Sequence, residues 1–271
     1  MIFKIIRASL LLISFSLLSY PALAADDCAA EKIDLWTKAS YANNGSNLII
    51  QDQRVRLIGL HAPQIERKQK FNTPGEPLAE EAQRFLNKLL ANNGLEVGVE
   101  YDSTKIDKFG RQLVHLFLKD GTNVQQKMLE SGFAVNRIEH GNLKHINCYL
   151  EAEKKARLGS YQLWDFLAKN PEAHFPLVKS SDINTEDEGF RIIQGKVLKV
   201  DKIASNYIIN MDTTGIRVPK RYWAHFDYTA LQKLKGQTIE VRGQAYHYKR
   251  NMFMIVDHPF SIDRLNPLQN K

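Results

Sequence analysis

The chain has 271 residues, 44% hydrophobic and 25% charged, with two cysteines and a formal net charge of +7. That composition excludes a disordered chain, a disulfide-dense miniprotein and a collagen-like fibre, and the length suits one or two globular domains. The basic excess favours contact with polyanions but is too small to assign a ligand.

The opening MIFKIIRASLLLISFSLLSYPALA places Lys4 and Arg7 before an apolar run, Leu10 to Leu18, and closes on Ala22-Leu23-Ala24. This is the pattern of a secretory signal peptide over residues 1–24, cut after Ala24. The run is shorter than the ~20 residues that span a bilayer, which weighs against the alternative of a membrane anchor. The expectation is an exported protein, periplasmic or extracellular, with no membrane insertion after cleavage. Without Lys4 and Arg7 the net charge falls to about +5. Export also allows Cys28 and Cys148 to pair. Such a bridge is worth up to about 4–5 kcal/mol in the chain-entropy model. Two unpaired thiols or metal ligands are the alternatives, and the lack of CxxC spacing argues against metal.

Next come Asn47 to Gln51 and Arg54 to Leu60, β-rich runs separated by Asp52-Gln53, which read as a hairpin. Leu95 to Asp102 and Gln112 to Leu118 alternate in the same way. Between the pairs, Leu78, Ala82, Phe85, Leu86, Leu89 and Leu90 form the apolar face of a helix, with Pro77 in the first turn and Glu76, Glu80 and Glu81 opposing its dipole. A second helix follows Thr122 or Asn123 as cap and stops near Gly132. A third runs from about Asn147 to Leu158, with Gly159 as its stop. Strands followed by helices predict a small β-barrel with helical packing over residues 28–168. Residues 169–188, with two prolines, paired serines and an acidic run, read as a linker. Residues 189–266 read as a second domain of five short strands (GFRIIQGKVLKV, NYIINMD, GIRVPK, TIEVRGQAYHY and MFMIVDH) with a helical piece near Tyr228 to Leu234, a small OB-like β-barrel.

Two arginines carry the chemistry: Arg56 on the apolar run VRLIGLHAP, and Arg111 in DKFGRQL. A guanidinium at a barrel mouth suits phosphate oxygens in a bidentate grip. The alternative is a structural salt bridge to Asp52, Asp102 or Asp107. The ordered series VRLIGLHAP, PGEPLAEEAQRFL, VEYD, DKFGRQL, NVQQKMLESGFA and EAEKKARLGSYQLW, over roughly residues 40 to 165, resembles the staphylococcal nuclease (thermonuclease) family. The resemblance implies an α+β, mainly β fold, a five-stranded OB-type barrel with three helices. It also implies calcium-assisted phosphodiester hydrolysis, with arginines at Arg56 and Arg111 holding the phosphate.

The acidic positions depart from that pattern. The family's general-base glutamate falls on Gln64, and a neutral amide orients water but does not accept its proton. Its calcium aspartates fall on His61 and Gly45, neither a ligand for a hard ion. The resemblance therefore implies a ligand-binding pair, Arg56 and Arg111, with no cofactor expected, and with nucleic acid (DNA or RNA) or another polyanion as partner. If the protein is active, it is a phosphodiester hydrolase of the thermonuclease type, using calcium and a displaced acid such as Glu66, Asp102 or Asp107, or His61 as base. A third alternative is an envelope interaction module using the barrel as a scaffold.

The second domain interleaves Lys220, Arg221, Tyr222, Trp223, Tyr246, Tyr248, Lys249 and Arg250, a mixture that single-strand binders use. The alternative is ordinary packing, since half of these aromatics must be core in so small a barrel. His225, His247 and His258 show no zinc spacing.

Overall fold

Alternating apolar residues along the first strands put one face of each inside a ring. The computed structural model describes residues 28–68, 72–249 and 251–264. The expected signal peptide, residues 1–24, and Arg250 lie outside the described residues. In the first domain β1 (Leu35–Asn44), β2 (Asn47–Ile50), β3 (Gln53–Leu57), β4 (Glu96–Glu100) and β5 (Gln112–Phe117) form a closed barrel in the order β1-β2-β3-β5-β4. The β3–β5 pairing is parallel and the others are antiparallel. Leu48, Ile50, Val55, Leu57, Val97, Val99, Val114 and Leu116 fill the core. This is the five-stranded OB-type barrel expected from the sequence.

Helix α1 (Ala79–Asn92) lays Ala82, Leu86 and Leu90 against that core. The cap of α2 (Val124–Glu130) is Asn123, whose side chain accepts the Gln126 N–H at 3.1 Å. Helix α3 (Ile146–Leu158) buries Tyr149 completely. Tyr149 packs on Gly59, where φ is +81° and an added Cβ would lie 2.4 Å from the ring, so the glycine in VRLIGLHAP is needed both for its backbone and for its missing side chain. A fourth helix, α4 (Leu163–Lys169), adds to the three expected. The Cys28–Cys148 disulfide forms, with Cα atoms 5.1 Å apart, and ties the segment before β1 to α3.

The second domain is β-rich, as expected, but its described residues form one eight-stranded sheet in place of a five-stranded OB-like barrel. The strands are β6 (Leu177–Lys179), β7 (Gly189–Lys196), β8 (Lys199–Lys202), β9 (Asn206–Asn210), β10 (Thr214–Pro219), β11 (Thr238–Tyr248), β12 (Asn251–Ile255) and β13 (Ile262–Arg264). They follow the path β6-β7-β11-β12-β10-β9-β8, with β13 beside β11. The run 189–200 breaks after Lys196, because Val197 turns into the core while Leu198 faces outward. A short helix, α5 (Tyr228–Gln232), follows the cap Asp227.

Residues 169–188 are not a loose linker. β6 pairs in parallel with β7, Leu177 opposite Ile192, and Phe175, Val178 and Ile183 are buried. Composition suggested a linker because these apolar residues are widely spaced among polar ones, yet each reaches a core. The domains share a cluster in which Val135, Ala156, Leu163 and Trp164 of the first pack with Phe175, Phe190 and Ile192. Ion pairs flank it: Arg242–Glu153 at 2.8 Å, Arg157–Glu240 at 2.7 Å and Arg191–Glu76 at 2.9 Å. Among the described residues no helix is long and apolar enough to cross a membrane.

Candidate functional site

Because β3 lies between β2 and β5, the register sets Asn47 opposite Arg56 and brings the residue before β5, Arg111, to the same end of the barrel. The DKFGR turn positions Arg111. Asp107 Oδ1 accepts the N–H groups of Phe109 and Arg111 at 2.8 and 3.0 Å, and Oδ2 accepts Arg111 Nε at 2.7 Å. Arg111 Nη1 donates to Asn47 Oδ1 at 2.9 Å. Burial would raise the Asp107 carboxyl, but its bonds to Arg111 outweigh this and lower it.

Arg56 is buried, and its partner is none of the aspartates considered from sequence: Nη2 lies 2.6 Å from Glu139 Oε1. Arg137 Nε meets the same oxygen at 2.9 Å. Burial would raise the Glu139 carboxyl, but the two arginines hold it below the usual range. Burial, with the Arg56 charge adding to it, pushes Arg137 down to about 10, so Arg137 stays charged at neutral pH. Sequence reasoning missed Arg137 and Glu139. Their signal was faint: two charges two residues apart, on one side of an extended segment leaving the buried pair Val135–Asn136.

Arg56, Arg111 and Arg137 line one cavity of about 570 Å³ together with His61, Gln64 and Glu76. Its far wall is the second domain, through Phe175, Phe190 and Arg191. His61 stacks on Phe190 at a centroid distance of 4.6 Å, and its Nε2 lies 3.5 Å from Glu76 Oε2. Burial lowers the His61 pKa and keeps the ring neutral. Gln64 turns its amide back onto the Ala62 carbonyl at 3.0 Å. Glu76 accepts the Gln64 N–H at 2.8 Å and Arg191 Nη1 at 2.9 Å. Burial would raise Glu76, but His61, Arg191 and the Gln64 N–H outweigh it. From sequence, Glu76 was read only as a helix-dipole residue.

Gly45 cannot occupy a metal-ligand position. A Cβ there would lie 2.6 Å from Ala62 Cβ and 2.9 Å from Ala82 Cβ, so position 45 faces the core, and Ser46 and Asn47 address the cavity instead. None of the displaced acids considered from sequence lines that cavity. Glu66 is exposed beside Lys68 at 3.6 Å and borders a separate cleft with Phe109 and Arg111. Asp102 accepts the N–H groups of Ser103 and Lys144 and faces His115 across 3.7 Å. Asp107 is bonded to Arg111.

Among the described residues no group of three or more His, Cys, Asp or Glu side chains is placed to hold a metal ion. Calcium takes six to eight oxygen ligands. Here the candidate positions present a neutral imidazole, a folded-back amide and a Glu76 already bonded to Arg191 and the Gln64 N–H, so the residues do not fit that ion.

In the second domain the aromatic faces are largely occupied by one another. Trp223 stacks on Tyr207 at 4.1 Å and donates to the Val218 carbonyl, and Tyr246 packs against Phe253. Tyr222 and His225 pack on His140 of the first domain. Only Tyr248, with Lys249 over its ring, is mainly exposed among the aromatics singled out from sequence.

The family described as Staphylococcal nuclease homologue matches residues 54–166. The chain is 35% identical over 127 residues to a thermonuclease of Staphylococcus intermedius, covering 45% of this chain and 71% of that protein. It is 29% identical over 126 residues to a thermonuclease of Staphylococcus hyicus, covering 45% and 70%. The matched segment contains every barrel residue that lines the cavity from Arg56 to Arg137, and leaves the second domain outside.

Proposed function

Because this chain belongs to the staphylococcal nuclease family, we propose that its barrel retains the family's phosphate-binding arginines and binds nucleic acid, or another phosphorylated anion, with little or no cleavage. The observation that carries this reading is the convergence of Arg56 and Arg111 on one cavity in which the nearby carboxylates are held ionised by cations and N–H groups. The guanidiniums supply bidentate donors to phosphate oxygens. Hydrolysis also needs a group that takes a proton from water. Gln64 has no basic atom, and Glu76 and Glu139 are weakened as bases by the interactions that lower their pKa values. The disulfide supports export to an oxidising compartment.

The test incubates purified protein with single- and double-stranded DNA and RNA, with calcium and with chelator, and measures cleavage beside binding. The expected result is salt-sensitive binding, lost in Arg111→Ala, without cleavage. Robust calcium-dependent cleavage abolished by Arg111→Ala would overturn the reading in favour of an active phosphodiesterase. Absence of both binding and cleavage would favour the scaffold alternative.

A further inference from the structure

The second domain stands over the barrel mouth. Phe190 rests on His61, and Arg191 grips Glu76, so the second domain covers two of the residues that border the site. The cavity between them, at about 570 Å³, falls in the range of sites that take one small molecule. Its charge is polarised. Of the charged side chains that line it, the barrel wall contributes Arg56, Arg111 and Arg137 against Glu76 alone, and Glu76 is itself paired with Arg191 of the second domain. On the second-domain wall, Glu186 and Glu188 line the same cavity and are exposed. A continuous strand passing through would press a flanking phosphate against those carboxylates, whereas a strand that ends in the cavity would not.

Resting on the phosphate-binding reading above, we infer that the roofed cavity selects a terminal phosphate, the phosphorylated end of a single strand or a mononucleotide, over internal phosphodiesters. Arg56, Arg111 and Arg137 hold the phosphate, and the second domain excludes the continuing strand by its bulk and by Glu186 and Glu188.

The experiment is a competition assay on the full chain in chelator, with a labelled 5′-phosphorylated single-stranded oligonucleotide as probe. The competitors are a 3′-phosphorylated strand, a strand with hydroxyl ends and a covalently closed circle of the same sequence. A phosphorylated linear strand is expected to compete at least about tenfold better than the circle. Equal competition by the circle would overturn the inference while leaving the phosphate-binding reading intact. Failure of the probe to bind at all would overturn both. The exposed double variant Glu186→Gln/Glu188→Gln is expected to narrow the gap by strengthening the circle, and an unchanged gap would refute the role given to the two carboxylates.

Discussion

Glu139 sits between Arg56 and Arg137 where an anionic ligand would compete for the same donors. Removing its charge in Glu139→Gln is therefore expected to tighten polyanion binding by several-fold at fixed salt, read by fluorescence anisotropy, and to lower the melting temperature through repulsion between two half-buried or buried guanidiniums. If Glu139 instead serves mainly to aim the arginines, binding will weaken. Elsewhere in the barrel, burial would raise the Asp102 carboxyl, but the His115 side chain and the N–H groups of Lys144 and Ser103 outweigh it and hold it at about 2. A carboxylate depressed in the folded state contributes stability above its unfolded pKa and loses it as pH falls through the folded value. Asp102 should thus add up to about 2 kcal/mol at neutral pH, declining between about pH 4 and 2. Urea unfolding followed across that range should show a flatter profile in Asp102→Asn. His115, kept neutral by burial, acts in the same direction because acid favours the unfolded, protonated ring.

Helix α2 depends on Asn123 more than its length suggests. The side chain caps the helix and donates to the Cys28 carbonyl at 3.2 Å and to Tyr149 Oη at 3.3 Å. Asn123→Ala is expected to cost about 1–2 kcal/mol, measured as a shift of the denaturant midpoint at constant slope. The start of α2 was legible to within Thr122 or Asn123, as were four of the five barrel strands and the apolar face of α1, because each is written in residues next to one another; β1 was not, its alternation being broken by register shifts against β2. The site was legible only in part. Arg56 and Arg111 announced themselves by motif, whereas Arg137 and Arg191 reach the cavity, and Glu139 reaches Arg56, from segments joined only by tertiary packing. The extra strands β6 and β13 escaped for a similar reason. Each has three residues, too few to establish a period, and each exists because β7 or β11 offers a neighbouring edge.

At the scale of the whole molecule the two domains are bound by charges buried in their interface. Arg242 bonds to Glu153 and Asp263, and Glu153 also takes Arg157 and the Asn136 N–H. Burial would lower the Arg242 pKa, but Glu153 and Asp263 raise it. Glu153→Gln leaves a buried arginine short of a partner and is expected to destabilise the protein by roughly 3 kcal/mol or more in calorimetric or denaturant unfolding. An effect under about 1 kcal/mol would mean that the interface is wetter than its burial implies. Reduction of the disulfide is expected to lower stability by up to about 5 kcal/mol for a bridge spanning 120 residues, and Cys28→Ser/Cys148→Ser should reproduce the loss without reductant.

That bridge also closes residues 28–148 of the first domain into a covalent ring. Arg56, Gln64, Glu76, Arg111, Arg137 and Glu139 all lie between Cys28 and Cys148, and so do the exposed Arg67 and Lys68. A trypsin cut after either basic residue would open the chain without releasing a piece of the site. The nicked protein should migrate as a single species until a thiol is added and as two thereafter, a form of endurance suited to surroundings rich in proteases.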